Sequence, residues 1–350
     1  MSFWSRSEGH TPLTPLKEVD YRALRLMMER SSGSEHLKKK HLNKFDRAWK
    51  RGELFSCKEE TDIQKWMRCE ARFTLGCYED WTGWQFRDKW SQKIWFKNPF
   101  HVPVWKGDYV EHLYVVGEQG LGDEILFSQC VLDAQKRVGR VTVETQERLQ
   151  SIFERSLGVE TTKAIVGADG IRRAQPFEAS AWVGLGELPR IFRRKRSDFT
   201  RRPYITPDLS RIGEMEPYKG RVGVSWRGAQ GKIDWQKLKK LYPNCLSLQY
   251  DQAEEDVERP HIDLRNDSEG ILALVQVLSK VVTVSTTVAH FAASSGVNTD
   301  LIIANPKTGI RQNILPWRWL DLSDKNIPRK SLWYGDHVKV YQNWGEYYAW

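Results

Sequence analysis

Hydrophobic and polar positions change their spacing along the chain near residue 112. Before it, residues 18–30 and 36–51 carry leucines and aromatic side chains at helical spacing among charges, which predicts two amphipathic helices. A third helix is predicted from Thr61 to about residue 78. After residue 112, short β-branched runs alternate with helical patterns, as in parallel α/β sheets. We therefore expect a helical front end followed by α/β structure.

The α/β part divides into two series at residues 203–218, whose prolines and charges are typical of a linker. The first series predicts strands and helices in turn at 113–116, 123–137, 141–143, 146–157 and 164–166. The second predicts them at 222–226, 233–241, 245–248, 268–278, 281–284 and 300–304, with a short helix before the last strand. The expected fold class is α/β: two doubly wound parallel-sheet domains, 101–205 and 206–350, facing a cleft behind a helical extension, 1–100.

The segment at residues 281–296 combines a buried strand with the start of a helix. Its β-branched run is followed by three hydroxyl residues, Ser285, Thr286 and Thr287, at the place of a helix cap. Gly296 is placed to end the helix. A helix N-terminus at the carboxyl end of a strand is suited to a phosphate. His290 then has two interpretations, a satisfied core histidine or a donor to that phosphate.

Two further strand ends carry chemistry. The first is a Gly-x-x-Gly-x-Gly turn, which differs from the dinucleotide fingerprint Gly-x-Gly-x-x-Gly. Asp123 follows this turn and is either a helix cap or a general base, with Glu118 as a second carboxylate nearby. The second strand ends at Arg227, with Lys232 beyond a glycine-containing loop. These two cations suit a diphosphate, although ordinary surface charge is an equal alternative.

Composition adds an electrostatic expectation. Among 350 residues, 54 Lys and Arg outnumber 45 Asp and Glu, and the net charge of +9 favours an anionic partner. The densest positive run lies at residues 190–204 and includes Arg193, Arg194 and Arg196. Sixteen tryptophans are expected to be mostly structural, and the aromatic stretch 81–90 is expected to pack the front end against the next domain.

The remaining patterns bear on compartment and cofactors. Five cysteines without a Cys-x-x-Cys pair indicate free thiols in a reducing compartment. No apolar run of 18 residues and no signal-peptide pattern occur, so we expect a cytoplasmic protein without a transmembrane segment. No His, Cys or Asp cluster has metal spacing, and no Gly-x-Ser-x-Gly elbow occurs, so we expect neither a metal ion nor another cofactor.

Five motifs in order resemble a known family over residues 80–342. The turn Gly117-Glu118-Gln119-Gly120-Leu121-Gly122-Asp123 is similar to the Glu-Gln-Gly-Leu-Gly-Asp motif of bacterial tetratricopeptide-associated glycosyltransferases. These proteins are relatives of the lipopolysaccharide heptosyltransferases, which have the GT-B fold. The other similar segments are 222–228, 247–250, 286–292 with its Thr-x-x-x-His pattern, and the aromatic pairs near 317–319 and 333–334. No tetratricopeptide repeats are evident at residues 1–60.

The resemblance implies a GT-B-like fold and sugar transfer from a nucleotide diphosphate donor, with inversion and without a metal. By position, Asp123 matches the catalytic base. The residues implied on the donor side are Arg227, Lys232, Gln249, Ser285, Thr286, Thr287 and His290, and those on the acceptor side are Glu118, Gln119, Gly120 and Gly122. Ser285 stands where many relatives have Asp, which bears on donor identity.

Three hypotheses follow. The first is a glycosyltransferase with an anionic acceptor, either a phosphorylated glycan or DNA carrying a hydroxymethylated base, contacted by Arg193, Arg194 and Arg196. The second is a non-catalytic nucleotide- or nucleic-acid-binding protein that keeps the fold. The third, a nicotinamide oxidoreductase, is disfavoured by the glycine spacing. The sugar, the nucleotide, the acceptor and the oligomeric state stay open.

Overall fold

The computed structural model describes most of the chain from residue 62 onward. The described residues are 62–74, 76–87, 102–117, 120–166, 172–173, 178–228, 231–251, 257–303, 318–319, 328–341 and 344–348. The helices predicted at 18–30 and 36–51 lie outside these residues, as do Glu118 and Gln119.

The first unit is built on a four-stranded parallel sheet in the order β3-β2-β1-β6. The strands of this sheet are β1 His112–Val116, β2 Arg140–Thr145, β3 Glu160–Lys163 and β6 Ala181–Gly184. A separate antiparallel pair is formed by β4 Ile165–Val166 and β5 Arg172–Arg173. The strand predicted at 164–166 does form at 165–166, but it belongs to the antiparallel pair, and the third strand of the parallel sheet is β3 just before it. β6 was not predicted, although it pairs with β1.

The helices of this part surround the sheet. They are α1 Asp62–Thr74, α2 Leu121–Ser128, α3 Val131–Ala134, α4 Gln150–Leu157 and α5 Leu188–Phe192. The helix predicted at 123–137 is thus divided into α2 and α3. The interpretation of the aromatic stretch as a packing contact is confirmed for Trp84, which is fully buried and whose Nε1 donates to the Gly186 carbonyl at 2.6 Å.

The second unit has a six-stranded sheet in the order β10-β7-β11-β12-β14-β13, parallel except for β13. Its strands are β7 Val222–Ser225, β10 Leu246–Ser247, β11 Lys280–Thr283, β12 Thr299–Ile302, β13 Arg329–Ser331 and β14 Gly335–Tyr341, and the short strands β8 Arg227–Gly228 and β9 Gly231–Lys232 form a hairpin. Its helices are α6 Leu209–Ile212, α7 Trp235–Leu241, α8 Ser268–Val277, α9 Thr287–Ser294 and α10 Trp344–Tyr348.

Both sheets reverse their strand order beside their first strand. β1 lies between β2 and β6, and β7 lies between β10 and β11. In open α/β sheets, ligands bind beyond the carboxyl ends of the strands at such a reversal. The expectation of two parallel α/β units is confirmed, and the strand orders point to the ends of β1, β7 and β11 as the place to look for a site.

The two units pack directly on each other through α2 and α9, whose apolar side chains share one core. Tyr204 links the two helices. Its backbone N–H donates to the Ser294 carbonyl at 2.8 Å, and its hydroxyl donates to the Ile125 carbonyl. Within the described part of the chain, no helix has both the length and the apolar composition needed to cross a bilayer.

Candidate functional site

The start of α9 has the geometry that the sequence predicts for an anion site. Thr286 is the N-cap in extended conformation, and its side chain makes no capping hydrogen bond, while the Ala289 N–H donates to the Thr286 carbonyl at 3.1 Å. Its hydroxyl lies 3.2 Å from the hydroxyl of Thr283 instead. Gly296, with a φ of +85°, follows the helix in the left-handed conformation that favours glycine, as predicted. The helix dipole is therefore available to an anion beside β11.

The hairpin of β8 and β9 packs against this helix start. A Cβ on Gly228 would come within 2.9 Å of Thr286 Cγ2 and 3.2 Å of the Ser285 carbonyl oxygen, so only glycine allows this approach. Arg227 and Lys232 are direct partners in the hairpin register, and the Arg227 guanidinium pairs with Asp251 at 3.2 Å. The hairpin backbone at Gly228 thus lies against the hydroxyl residues that begin α9.

Gln249 supports the hairpin rather than facing a ligand. Its side-chain oxygen accepts from the Ser225 hydroxyl at 3.1 Å and from the Arg227 N–H at 3.2 Å, while its nitrogen donates to the Arg227 carbonyl at 2.9 Å and to Asp251 at 3.0 Å. The residue is 1% exposed. The prediction of Gln249 as a donor-binding residue is therefore corrected, because its polar atoms already hold the end of β7.

The start of α2 presents Asp123. Gly120 is the N-cap, and its N–H donates weakly to Asp123 Oδ2 at 3.4 Å, which bears out the cap interpretation. The other oxygen, Oδ1, lies 2.6 Å from Arg318 Nη1. The side chains of Asp123 and Arg318 are 19% and 22% exposed, so water reaches both. The cap and base interpretations are compatible, because the carboxylate stays at the surface of the site.

His290 joins the two halves. A Cβ on Gly122 would lie 2.6 Å from the His290 ring, so α2 can approach α9 only with glycine at this position. The ring is buried, hydrogen-bonded through Nδ1 to the Tyr334 hydroxyl at 2.7 Å, and 4.5 Å from the Trp319 ring. Burial, reinforced by the positive charge of Arg318, lowers the pKa of His290 to about 3. The burial and the low pKa favour the core interpretation, and donation from the neutral ring to a phosphate stays a prediction.

Trp319 connects the same cluster to the hydroxyl residues. Its Nε1 donates to Ser285 Oγ at 3.0 Å, and its ring lies 5.5 Å from that of Tyr334. Arg318, Trp319 and Tyr334 were not predicted as site residues. The only sequence signal for them was the similarity of the segments 317–319 and 333–334 to closing aromatic motifs of the family.

Arg193 is not available to an acceptor. Its side chain is buried and paired with Asp133 at 2.8 Å, with a further hydrogen bond to Gln129 at 3.3 Å. Its guanidinium also lies 5.9 Å from the rings of Phe199 and Trp333. The expectation of an acceptor contact is therefore wrong for Arg193, which is a structural residue.

Arg194 and Arg196 are exposed but follow α5 at the other edge of the sheet. The end of α5 lies at the amino ends of the strands, since the Phe192 ring packs 4.8 Å from the guanidinium of Arg137, which precedes β2. Asp123 lies beyond the carboxyl end of β1. The positive run therefore does not line the site, and the acceptor role predicted for Arg194 and Arg196 is corrected.

No model of a known protein family matches the chain. The chain is 22% identical over 308 residues to Protein FlbA of Caulobacter vibrioides, covering 74% of this chain and 51% of FlbA. It therefore spans about half the length of that curated relative.

Three matching solved structures are glycosyltransferases. A glycosyl transferase family 9 protein of Veillonella parvula is 13% identical, with a TM-score of 0.39 over 57% of this chain and 82% of that one. The ADP-heptose LPS heptosyltransferase II of E. coli is 12% identical, with a TM-score of 0.39 over 56% and 86%. The iron-containing dodecameric glycosyltransferase TibC of enterotoxigenic E. coli is 10% identical, with a TM-score of 0.37 over 57% and 60%. Because these TM-scores are low, the fold assignment rests on the two strand orders.

Proposed function

We propose that the protein transfers a sugar from a nucleotide diphosphate donor to a hydroxyl acceptor. One observation carries the proposal: α2 and α9 begin side by side, so Asp123 and the start of α9 belong to one site. The close contact of Gly122 with His290 fixes this arrangement. The motif resemblance to glycosyltransferases agrees with it.

The donor half would hold the diphosphate. The first-turn N–H groups of α9 and the hydroxyls of Ser285, Thr286 and Thr287 offer hydrogen bonds, and Arg227 and Lys232 offer charge. Each exposed contribution is modest, about 0.3–1 kcal/mol for a helix terminus, so their convergence is what makes the site selective for a diphosphate. An arginine can bind two phosphate oxygens at once.

The acceptor half would use Asp123 as a general base. The acceptor oxygen attacks the anomeric carbon, its proton passes to the Asp123 carboxylate, and the bond from that carbon to the diphosphate breaks with the electron pair leaving on the diphosphate. A positioned base contributes about 10²–10⁴-fold to such a step. Attack opposite the leaving group inverts the anomeric centre. Helix N–H groups and cations stabilise the leaving charge, so the proposed transfer needs no metal ion.

The identities of the donor sugar and of its nucleotide base stay open, and the cytoplasmic location stays a prediction. The anionic acceptor, a phosphorylated glycan or hydroxymethylated DNA, is now supported only by the net charge of +9, because the positive run at 190–204 does not line the site. A DNA acceptor predicts binding that weakens steeply with salt, and absence of DNA retention at low salt would exclude it.

A thermal-shift screen tests the donor half. Nucleoside diphosphates and sugar nucleotides are added to the full chain, and one nucleotide is expected to raise the melting temperature at concentrations above its Kd. If none does, the proposed function is wrong.

Asp123→Asn tests the base. With the donor and an acceptor found by screening, turnover is expected to fall about 10²–10⁴-fold while donor binding persists. Unchanged turnover would remove the base assignment. Donor binding without any turnover in the wild type would favour the non-catalytic binding protein.

A further inference from the structure

Arg318 and Trp319 lie between the two halves of the proposed site and contact both. Trp319 is fixed on the side of α9, because its Nε1 donates to Ser285 Oγ at 3.0 Å and its ring packs on His290. The neighbouring Arg318 extends to α2, where its Nη1 lies 2.6 Å from Asp123 Oδ1. Arg318 is thus anchored beside the donor half while its charge is directed to the acceptor half.

This contact conflicts with the proposed role of Asp123. One carboxylate oxygen is held by Arg318, and the other accepts the long hydrogen bond from the Gly120 N–H. A general base must offer an oxygen to the hydroxyl that it deprotonates, within hydrogen-bond reach. Each carboxylate oxygen has a second lone pair for that hydroxyl, but a guanidinium at Oδ1 stabilises the ionised carboxylate and so opposes the transfer of a proton to it. Both side chains keep some contact with water, at 22% and 19% exposed.

A bound diphosphate would supply a competing partner. Ser285, the anchor of Trp319, is one of the hydroxyl residues at the start of α9, so the diphosphate would lie within a side-chain rotation of Arg318. A guanidinium can bind two phosphate oxygens at once in its fork geometry.

We propose that Arg318 couples donor binding to the activation of Asp123: it holds the Asp123 carboxylate while the site is empty and turns to the donor diphosphate when that binds. The released carboxylate then accepts the acceptor's proton. This inference rests on the proposed function. It makes Arg318 a donor-binding residue, and it makes acceptor activation conditional on a bound donor.

A double-mutant cycle on diphosphate binding tests the coupling. Inorganic pyrophosphate, ADP, UDP and GDP are titrated calorimetrically into the full-length wild type, Asp123→Asn, Arg318→Gln and the double variant. Arg318→Gln is expected to weaken binding about tenfold. Asp123→Asn is expected to tighten it about fivefold, because no carboxylate then competes for the guanidinium. In the Arg318→Gln background, Asp123→Asn is expected to change nothing.

The matched control is Lys280→Gln. It breaks a partly buried ion pair with Asp300, of 2.8 Å, at the amino end of β11, the end of the strand away from the site. Its binding constants are expected to equal those of the wild type. Arg318→Lys provides a second variant if Arg318→Gln does not fold, and it is expected to weaken binding to an intermediate degree, because lysine lacks the fork.

The possible results distinguish a failure of the Arg318 coupling from a failure of the proposed function. If Asp123→Asn tightens binding equally in both backgrounds, the effect is charge repulsion and the coupling is overturned. If wild type binds a probe but Arg318→Gln and Arg318→Lys bind it equally well, the coupling is overturned while the donor site stands. If no form of the protein binds any probe, the proposed function fails as well.

Discussion

Two arginine–aspartate pairs of similar length have opposite surroundings. Arg193 lies 2.8 Å from Asp133 with its side chain 2% exposed, whereas Arg318 lies 2.6 Å from Asp123 with its side chain 22% exposed. The first belongs to the densest positive run of the chain, and the second is an isolated arginine between tryptophans. The density of charge in the sequence therefore points to the structural pair, and only the strand ends point to the pair at the proposed site.

Burial decides what each pair can do. Arg193 is surrounded by Gln129 and by aromatic rings, so removing it leaves a carboxylate and an amide without their main partner. The Arg318 side chain is closer to water, at 22% exposed against 2% for Arg193, so its loss is expected to cost less stability.

The largest expected effect is that of Arg193→Met. Breaking a buried ion pair from one side typically costs about 3–5 kcal/mol, so the free energy of unfolding should fall by that amount in urea denaturation. Arg318→Met is expected to cost less, because its side chain is 22% exposed whereas that of Arg193 is 2% exposed. Equal losses for the two variants would remove the contrast between the pairs.

The second largest loss of stability is expected for Gly122→Ala. The added methyl group meets the His290 ring at 2.6 Å, and overpacking of this kind costs about 1–3 kcal/mol. Gly213→Ala is the matched control, since a Cβ there meets nothing within 4 Å and the backbone is helical. Chemical denaturation of both variants checks the difference, and a Gly122→Ala protein as stable as wild type would contradict the close contact of α2 with α9.

The effect of pH on stability through His290 is expected to be smaller than the losses caused by these substitutions. The pKa of His290 is about 3 in the folded protein and about 6.5 when unfolded, so the unfolded chain binds more protons between these values. The stability from the neutral ring is full above about pH 6.5 and is lost as pH falls. Between pH 6.5 and 5, wild type should lose more stability than His290→Gln in urea titrations, on the order of 1–2 kcal/mol. Parallel losses would show that His290 is not buried in neutral form.

Local patterns in the sequence were sufficient to predict the strand ends. The β-branched run before Ser285, the hydroxyl residues at the start of α9 and the left-handed Gly296 are each defined by a few neighbouring residues. For the same reason, the glycine turn before Asp123 could be placed at the start of a helix.

Contacts between distant residues could not be predicted. The burial of Arg193 and His290 depends on packing against Trp333 and Tyr334, far along the chain. The hydrogen bonds that occupy the Gln249 side chain are made to the hairpin that it supports. The pairing of Arg318 with Asp123 arises only when the two units pack together, and no spacing in the sequence encodes it.

The central claim is that the start of α9 and the β8–β9 hairpin hold a diphosphate facing Asp123. The most direct measurement is the Kd of the nucleoside diphosphate found by screening for Lys232→Gln, with Lys240→Gln as control, since both lysines are exposed. Lys232→Gln should weaken binding roughly fivefold and reduce its salt dependence, while Lys240→Gln should leave both unchanged. Equal affinity for Lys232→Gln and wild type would contradict the claim.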